Sequence, residues 1–314
     1  MLVRNSIMLT AVFATAVAGA AGFDSAQWLE RRAVADGAAK ALAAMYSERC
    51  GRFVSPAAEV AIPVEAFPSG AIKTMLRSRR SQILDNGEYI WGEGVELEQF
   101  DESGATQLVV TAENCLVNRA KRCGWVEGEA TASGRGSHLT GRRVYLDFGA
   151  SLLRIYDGAR LRSEGMSLDG RRRSEGEVTL AAGEATYDRA SGVAQFEREV
   201  SLDDGSYRID CDRAWVFLAG TNELRRVVAL GDVRFSDGDR RAGAPRVQYS
   251  KSAALLEMHG DGDRRAWLEE SGGNRWRLEG AKIVYHTDTE QVEVVDSAIT
   301  AESSGLSGGL KRGL

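Results

Sequence analysis

The sequence predicts an all-β protein of many short antiparallel strands, which follow an N-terminal apolar segment and a helix. The 314 residues include 35 glycines but only 4 prolines, a balance that favours many turns between short strands over a helical bundle. From about Tyr89 onward, apolar and polar residues alternate in short runs, such as 144–148 and 207–211, which gives each run one apolar face. Asn-Gly and Asp-Gly turn signals separate the runs, at 86–87, 157–158, 169–170, 204–205 and 237–238.

Residues 1–23 are typical of an export segment. Arg4 precedes a weakly hydrophobic run from Ile7 to Phe23 that ends in small residues, as a secretory signal peptide does before its cleavage site. The run is about 17 residues long, which is also the short limit of a membrane-spanning helix. Two interpretations stay open, a cleaved signal peptide and an uncleaved membrane anchor, and both export the body of the protein.

The next two segments predict a helix at 24–50 and a linker at 51–88. Trp28, Leu42 and Met45 lie among charged residues with few β-branched neighbours, and Asp24 or Ser25 is suited to the N-cap. The helix is interpreted as a stalk between the membrane and the body. Three of the four prolines and the basic run at 77–80 fall in the linker.

Composition and motifs favour a protein without catalytic chemistry. A net charge of −5 gives no general attraction to nucleic acid, and three histidines and four cysteines are few for metal sites. His138, His259 and His286 share no motif spacing, and no G-x-S-x-G, H-E-x-x-H or P-loop pattern occurs. We therefore expect no enzyme activity and no cofactor.

A hairpin-like unit recurs in the predicted β-region. A glycine leads into a tyrosine strand at 141–145, 183–187, 243–249 and 280–285, and a polar turn and second strand follow. A variant without the tyrosine starts at 212–217, and the five starts are then spaced by about 30 to 40 residues, which indicates a stack of repeated hairpins.

These units resemble the OstA-like domain of the lipopolysaccharide-transport proteins LptA, LptC and the N-terminal part of LptD. The matching segments are 185–188, 200–202, 207–214, 230–235 and 247–249, and the resemblance extends over about Trp91 to Thr300. Asp232 stands where the family usually has asparagine, and the 60 or so residues before the first strand are longer than the expected tether.

The resemblance implies a twisted, partly open β-jellyroll over residues 89–302, followed by a flexible tail at 303–314. Its apolar interior is expected to bind the acyl chains of lipopolysaccharide in the periplasm. The interior faces of the strands supply twelve predicted lipid-binding residues: Val200, Leu202, Tyr207, Ile209, Phe217, Val233, Phe235, Val247, Tyr249, Leu278, Ile283 and Tyr285. The implied partners are lipopolysaccharide or a related lipid, and other jellyrolls that stack edge to edge as a bridge between the two membranes.

Several alternatives remain open from the sequence. An anchored N-terminus implies an LptC-like partner of an inner-membrane ABC transporter, whereas a cleaved one implies an LptA-like bridge component. The interior is instead an ordinary closed core if the protein is an exported β-sandwich scaffold or adhesion protein. Cys115 and Cys123 bracket a short basic loop and form a candidate disulfide, with four free thiols as the alternative.

Overall fold

A computed structural model of the protein describes residues 24–51, 58–134, 136–164, 177–205, 207–219, 223–271, 276–289, 291–296 and 298–301. Within them the chain forms one α-helix, α1 (Ser25–Arg49), and nineteen strands. The first ten strands are β1 (Ala58–Ala66), β2 (Ile72–Leu84), β3 (Tyr89–Phe100), β4 (Thr106–Asn118), β5 (Cys123–Gly134), β6 (Ser137–Asp147), β7 (Leu152–Glu164), β8 (Glu177–Ala182), β9 (Glu184–Asp188) and β10 (Val193–Asp203). The others are β11 (Tyr207–Ala219), β12 (Glu223–Asp237), β13 (Arg240–Ser250), β14 (Leu255–His259), β15 (Ala266–Glu270), β16 (Trp276–Gly280), β17 (Lys282–His286), β18 (Val292–Val295) and β19 (Ala298–Ala301).

The strands form an antiparallel meander. Consecutive strands pair from β1 to β7 and again from β10 to β13. The short strands β8 and β9 lie end to end between β7 and β10, and each pairs with both neighbours. Strands β14 and β15 divide the edge of β13 in the same way, and the pairs continue as β14–β17–β18 and β15–β16–β19.

A row of irregularities runs across the meander and divides it into two halves. Along this row the pairing register shifts in six strand pairs, as it does at β-bulges. Arg198 and Glu199 form such a bulge in β10 with positive φ angles of 66° and 52°. Gly183 separates β8 from β9 beside this bulge, and its N–H donates to the Arg198 carbonyl at 2.7 Å. Because bulges bend strands, the sheet bends along this row. One half of the bent sheet contains β8, and the other contains β9.

The two halves enclose a shared apolar interior. One buried cluster contains Leu180 of β8, Ala185 of β9, and Phe196 and Leu202, which lie on either side of the bulge in β10. We call the two parts the β8 half and the β9 half. This antiparallel arrangement confirms the predicted all-β jellyroll.

The helix covers the outer face of the β9 half. It begins at Asp24, whose carboxylate accepts hydrogen bonds from the N–H groups of Ala26 and Gln27 at 2.9 and 3.1 Å. One stripe of the helix is buried, comprising Trp28, Ala35, Ala39 and Leu42. The predicted helix is therefore present, but its interpretation as a free stalk is wrong, since an apolar stripe of this kind is stable only against another apolar surface.

Strands replace most of the predicted linker at 51–88. Ala58–Ala66 and Ile72–Leu84 form β1 and β2, which extend the meander before the first predicted strand. The basic run at 77–80 was interpreted as part of a linker, but it belongs to strand β2, where its arginines lie at the surface. Arg77 and Arg80 pair there with Glu98 and Glu93 of β3.

The predicted export segment at 1–23 and the tail at 303–314 lie outside the described residues. Among the helices that the structure describes, none is both long and apolar enough to cross a membrane.

Candidate functional site: an apolar cavity between the two halves

The interior contains a cavity of about 120 Å³ between the β8 and β9 halves. Most of its lining is aliphatic or aromatic, and both halves contribute to it. The lining residues are Gln107, Leu108, Ala132, Gly134, Ser137, Leu139, Leu161, Val178, Leu180, Tyr187, Arg189, Ala194, Phe196, Leu202, Val216, Leu218, Leu224 and Val227. Such a lining suits an apolar ligand, because a cavity without polar partners does not hold water well.

A few polar groups are among the lining residues of this cavity. Ser137 shares a hydrogen bond with Ser163 at 2.8 Å, and Arg189 donates to the Gln99 side-chain oxygen at 3.1 Å. Tyr187 is the one tyrosine of the lining, and burial raises the pKa of its hydroxyl. The hydroxyl is therefore neutral at physiological pH. These groups offer hydrogen bonds and one positive charge to a bound molecule.

A second, smaller cavity of about 70 Å³ lies further along the interior. Phe235, Trp276, Tyr285 and Val292 are among its lining residues, and it shares none with the first cavity. Buried side chains such as Val233 and Val247 pack in the same interior without lining either space. The interior of the described residues therefore holds these two separate spaces in one continuous apolar core.

Eleven of the twelve predicted lipid-binding residues face this interior. Seven are buried in its main cluster: Val200, Leu202, Ile209, Val233, Val247, Tyr249 and Ile283. Phe235 and Tyr285 pack against that cluster. The Tyr207 ring stacks on Phe235 with 5.7 Å between centroids, and Leu278 lies directly opposite Leu268 of the cluster. Of the twelve, only Leu202 lines the larger cavity, and only Phe235 and Tyr285 line the smaller one. Lipid contact by these residues stays a prediction.

Phe217 is the exception, and its predicted place in the interior is wrong. It lies on the outer face with Trp215 and Val228, beneath Trp28 of the helix. The reason is the bulge between Asp210 and Arg213 in the pairing of β11 with β12. An extra residue there reverses which alternate positions point inward, so strict alternation along the strand assigns Phe217 to the opposite face.

The candidate disulfide between Cys115 and Cys123 is also wrong, because all four cysteines are free thiols. Cys115 belongs to the interior cluster, whereas Cys123 belongs to the cluster beneath the helix. The two side chains therefore point to opposite faces of the sheet, and a disulfide needs their Cβ atoms within about 4.5 Å of each other.

The sequence analysis missed most of the residues that line the larger cavity. Val178 and Leu180 on β8, and Leu139 and Leu161 on β6 and β7, lie before or at the edge of the segments used for the resemblance. The alternation Glu177-Val178-Thr179-Leu180 was the available signal, since every second residue there is buried. Tyr187 was identified as a strand marker, but alternation alone does not show which interior positions border empty space.

Charged residues fix the helix on the β9 half without lining either cavity. Arg31 forms an ion pair with buried Asp188 at 2.7 Å, and Arg32 pairs with Glu197 at 2.6 Å. Asp36 accepts hydrogen bonds from the Tyr156 hydroxyl at 2.6 Å and from Arg154 at 3.1 Å. Among the described residues, no group of three or more histidine, cysteine, aspartate or glutamate side chains is placed to hold a metal ion.

Comparison with known proteins supports the resemblance. Residues 179–291 match the family model described as LptA/(LptD N-terminal domain) LPS transport protein. This match confirms, for that segment, the family predicted from the sequence. No curated protein matches the chain.

A similar solved structure is the crystal structure of LptH, described as the LptA homologous periplasmic component of the conserved lipopolysaccharide transport device from Pseudomonas aeruginosa. It is 16% identical, with a TM-score of 0.35, over 40% of this chain and 95% of that chain. The functional assignment of the chain therefore depends on the family match at residues 179–291 and not on this distant likeness.

Proposed function

Because residues 179–291 match the family of LptA and LptD N-terminal lipopolysaccharide-transport domains, we propose that this protein carries lipopolysaccharide or a related lipid across the periplasm. The apolar cavity between the two halves is the structural observation that supports the proposal. Its lining offers the environment that an acyl chain prefers to water, and each buried methylene contributes about 0.8 kcal/mol. No covalent chemistry by the protein is required.

The size of the cavity indicates how a lipid would enter. At about 120 Å³ it is slightly smaller than a cavity of about 150 Å³ that holds benzene, so a whole acyl chain needs more space. We infer that the β8 and β9 halves separate about the row of bulges when lipid binds. Arg189, which is among the lining residues, would then meet a negatively charged part of the lipid.

Other jellyrolls of the transport bridge are the proposed protein partners, through the free edges of the meander. In the described part of the chain, β1 pairs only with β2, β18 only with β17, and β19 only with β16. Pro63 stands within β1 and has no N–H to donate to an added strand. The edge formed by β18 is therefore a better candidate for strand addition than the edge formed by β1.

The N-terminal segment decides between two forms of this function. A retained anchor at 1–23 would place α1 and the sheet beside the inner membrane, next to an ABC transporter. A cleaved signal would release a soluble bridge component. Mass spectrometry of the mature N-terminus after expression in a Gram-negative host distinguishes the two, since only the retained form begins before residue 24.

Site-specific photocrosslinking tests the lipid function. The photoreactive residue p-benzoylphenylalanine replaces Tyr187 in the larger cavity and, separately, Tyr285 in the smaller one. Tyr89 is a matched control, because it is a half-buried tyrosine packed on the outer face near the helix. We expect an adduct with lipopolysaccharide from Tyr187 and Tyr285 and none from Tyr89. Equal or absent labelling at all three positions would refute the proposal.

A second function, an exported β-sandwich scaffold without lipid cargo, is favoured by one specific observation. The two cavities are separate, and buried residues such as Val233 and Val247 fill the interior elsewhere. This packing is what a closed core needs. The crosslinking experiment separates the two functions, because a scaffold yields folded, exported protein with no lipid adduct.

A further inference from the structure

Two arginines converge on one neutral acceptor on the outer face of the β9 half. Arg226 on β12 donates a hydrogen bond from Nη2 to the Gln248 Oε1 at 2.6 Å, and Arg246 on β13 donates to the same atom at 3.2 Å. Two guanidinium nitrogens therefore lie within hydrogen-bond distance of a single oxygen. We call Arg226, Arg246 and Gln248 the paired-arginine cluster.

Only part of the hydrogen-bonding capacity of the Arg226 guanidinium group is used in this position. It forms no ion pair with any described carboxylate, and its Nε is buried without a hydrogen-bond partner. Its guanidinium carbon lies 5.8 Å from the centre of the Phe217 ring, which orients the group without neutralising it. Partly buried arginines ordinarily pair with carboxylates, because an amide oxygen supplies no compensating charge.

The surroundings of the cluster carry charges of both signs. Burial and the charge of Arg246 lower the pKa of Arg226, an unusual direction for an arginine. His259 lies directly opposite Arg246, and Lys282 lies directly opposite His259. Glu257 lies directly opposite Gln248, and its carboxylate is already engaged by Lys282. Two guanidinium groups that donate to one oxygen are an arrangement that can bind a tetrahedral oxyanion.

We propose that the paired-arginine cluster binds an oxyanion of the phosphate class. The anion would take the position of the Gln248 oxygen and accept hydrogen bonds from both guanidinium groups, including the Nε of Arg226. The Gln248 side chain would turn away toward solvent, which it already reaches because the residue is only partly buried. The site lies on the outer face, so anion binding there does not depend on lipid binding in the interior.

Gln248→Glu is the most informative variant. Glutamate has the same shape as glutamine and would place a carboxylate oxygen between the two guanidinium groups. We expect it to raise the melting temperature and to abolish anion binding, since the site then holds its own anion. Arg226→Gln removes one side of the site and should weaken binding at least tenfold.

Arg234→Gln is the matched control. Arg234 lies on the same strand as Arg226, but it is exposed and already paired with Asp232 at 2.6 Å. Its replacement removes the same charge from β12 without touching the cluster, so anion binding should stay within twofold of the original protein.

Isothermal titration calorimetry of the full chain with inorganic phosphate, and co-sedimentation with vesicles of phosphatidylglycerol against phosphatidylcholine, distinguish two sources of the anion. Binding of inorganic phosphate that Arg226→Gln weakens supports a site for free phosphate. Binding only to phosphatidylglycerol, with the same dependence, supports a site for lipid headgroups. The proposal fails if neither probe binds, if Arg234→Gln weakens binding as much as Arg226→Gln, or if Gln248→Glu binds as well as the original protein.

Discussion

At the scale of single residues, Asp188 combines a turn with the attachment of the helix. Its buried carboxylate accepts hydrogen bonds from Arg31 at 2.7 and 3.3 Å. The same carboxylate accepts bonds from the N–H groups of Ala190 and Ser191, at 3.0 and 3.3 Å. These two residues form the turn of the β9–β10 hairpin. The residue thus fixes a hairpin turn and holds α1 at one point.

We predict that Asp188→Ala lowers the free energy of unfolding by about 3 kcal/mol, because it leaves partly buried Arg31 and two turn N–H groups without their acceptor. Asp188→Asn should cost less, since its amide oxygen still accepts from the turn. Urea denaturation measures both. Asp232→Ala is the control, because Asp232 is in an exposed pair with Arg234, and its loss should cost no more than about 0.5 kcal/mol. Equal losses at the two sites would contradict this account.

Buried thiols predict a loss of stability at alkaline pH. Burial raises the pKa of both Cys115 and Cys211 to about 12. A thiol in the unfolded chain has a pKa of about 8.5. Between these values the unfolded chain binds fewer protons than the folded protein, so the free energy of unfolding falls as pH rises. This contribution is complete below about pH 8 and declines toward pH 12.

Urea denaturation at about pH 7.5, 9 and 10.5, values that span this window, measures the dependence. The Cys115→Ala, Cys211→Ala double variant should show a smaller decline than the original protein, although it starts from a lower stability because two buried side chains are shortened. Parallel declines in the two proteins would assign the alkaline loss to other groups, such as Tyr46, whose pKa burial also raises to about 12.

At the scale of elements, the helix is an integral layer of the fold. Trp28 is buried and crosses Trp215 edge-on, with 4.6 Å between ring centroids, in a cluster that includes Val193 and Val228. Trp28→Ala should therefore lower the free energy of unfolding by about 3 to 5 kcal/mol, as expected for a buried tryptophan. Leu29→Ala, at the adjacent exposed position, should change it by less than about 0.5 kcal/mol. A small effect of Trp28→Ala in urea denaturation would show that the helix is loosely held.

The same scale explains which strands were predictable from the sequence. Alternation located the strands after residue 89, because most of them have one apolar face. The turn signals at 86–87, 204–205 and 237–238 fall at strand ends, whereas the predicted turn at 157–158 is wrong, since both residues lie within β7. Alternation failed for Phe217, because its phase reverses at the bulge, and the continuous apolar run that follows does not show which residues face inward. It also failed for β2, where the arginines of an edge-proximal strand resemble a charged linker until their partners on β3 are known.

At the scale of the whole molecule, the sequence predicted which residues face the interior but not which of them border a cavity. Eleven of twelve chosen residues point inward, yet only three line a cavity. The position of a cavity depends on the distance between the two bent halves of the sheet. No single segment of the sequence determines that distance. The paired-arginine cluster was equally hidden, because Arg226 and Gln248 become neighbours only through the register of β12 and β13.

Filling the larger cavity should separate lipid binding from stability. Ala194→Leu adds three carbon atoms to the lining of a cavity of about 120 Å³, so it should preserve or raise the melting temperature. Lipopolysaccharide binding, measured by displacement of a fluorescent acyl probe, should fall at least tenfold. Ala105→Leu in the exposed turn between β3 and β4 is the control and should leave binding unchanged. Unchanged probe binding in a stable Ala194→Leu protein would place the lipid elsewhere.

Assembly through the β18 edge gives the last prediction, because the directions of its N–H groups can be deduced from one hydrogen bond. The His286 N–H donates to the Gln291 carbonyl at 2.9 Å, so that pair is a hydrogen-bonded one. Such pairs alternate along an antiparallel ladder. The N–H of Glu293 therefore points toward β17, whereas the N–H of Val294 points away from it, to where an added strand would lie.

Proline at these two positions should have opposite effects. Val294→Pro removes an outward donor and should prevent concentration-dependent association of the full chain, and it should lower the melting temperature only by the lost packing of the half-buried valine on the interior cluster. Glu293→Pro removes an inward donor and should instead lower the melting temperature, because it breaks the ladder to β17. Light scattering across a concentration series measures association, and thermal denaturation measures the ladder. If Val294→Pro associates as the original protein does, the chains assemble through another surface, and β18 is only the last paired strand of its half.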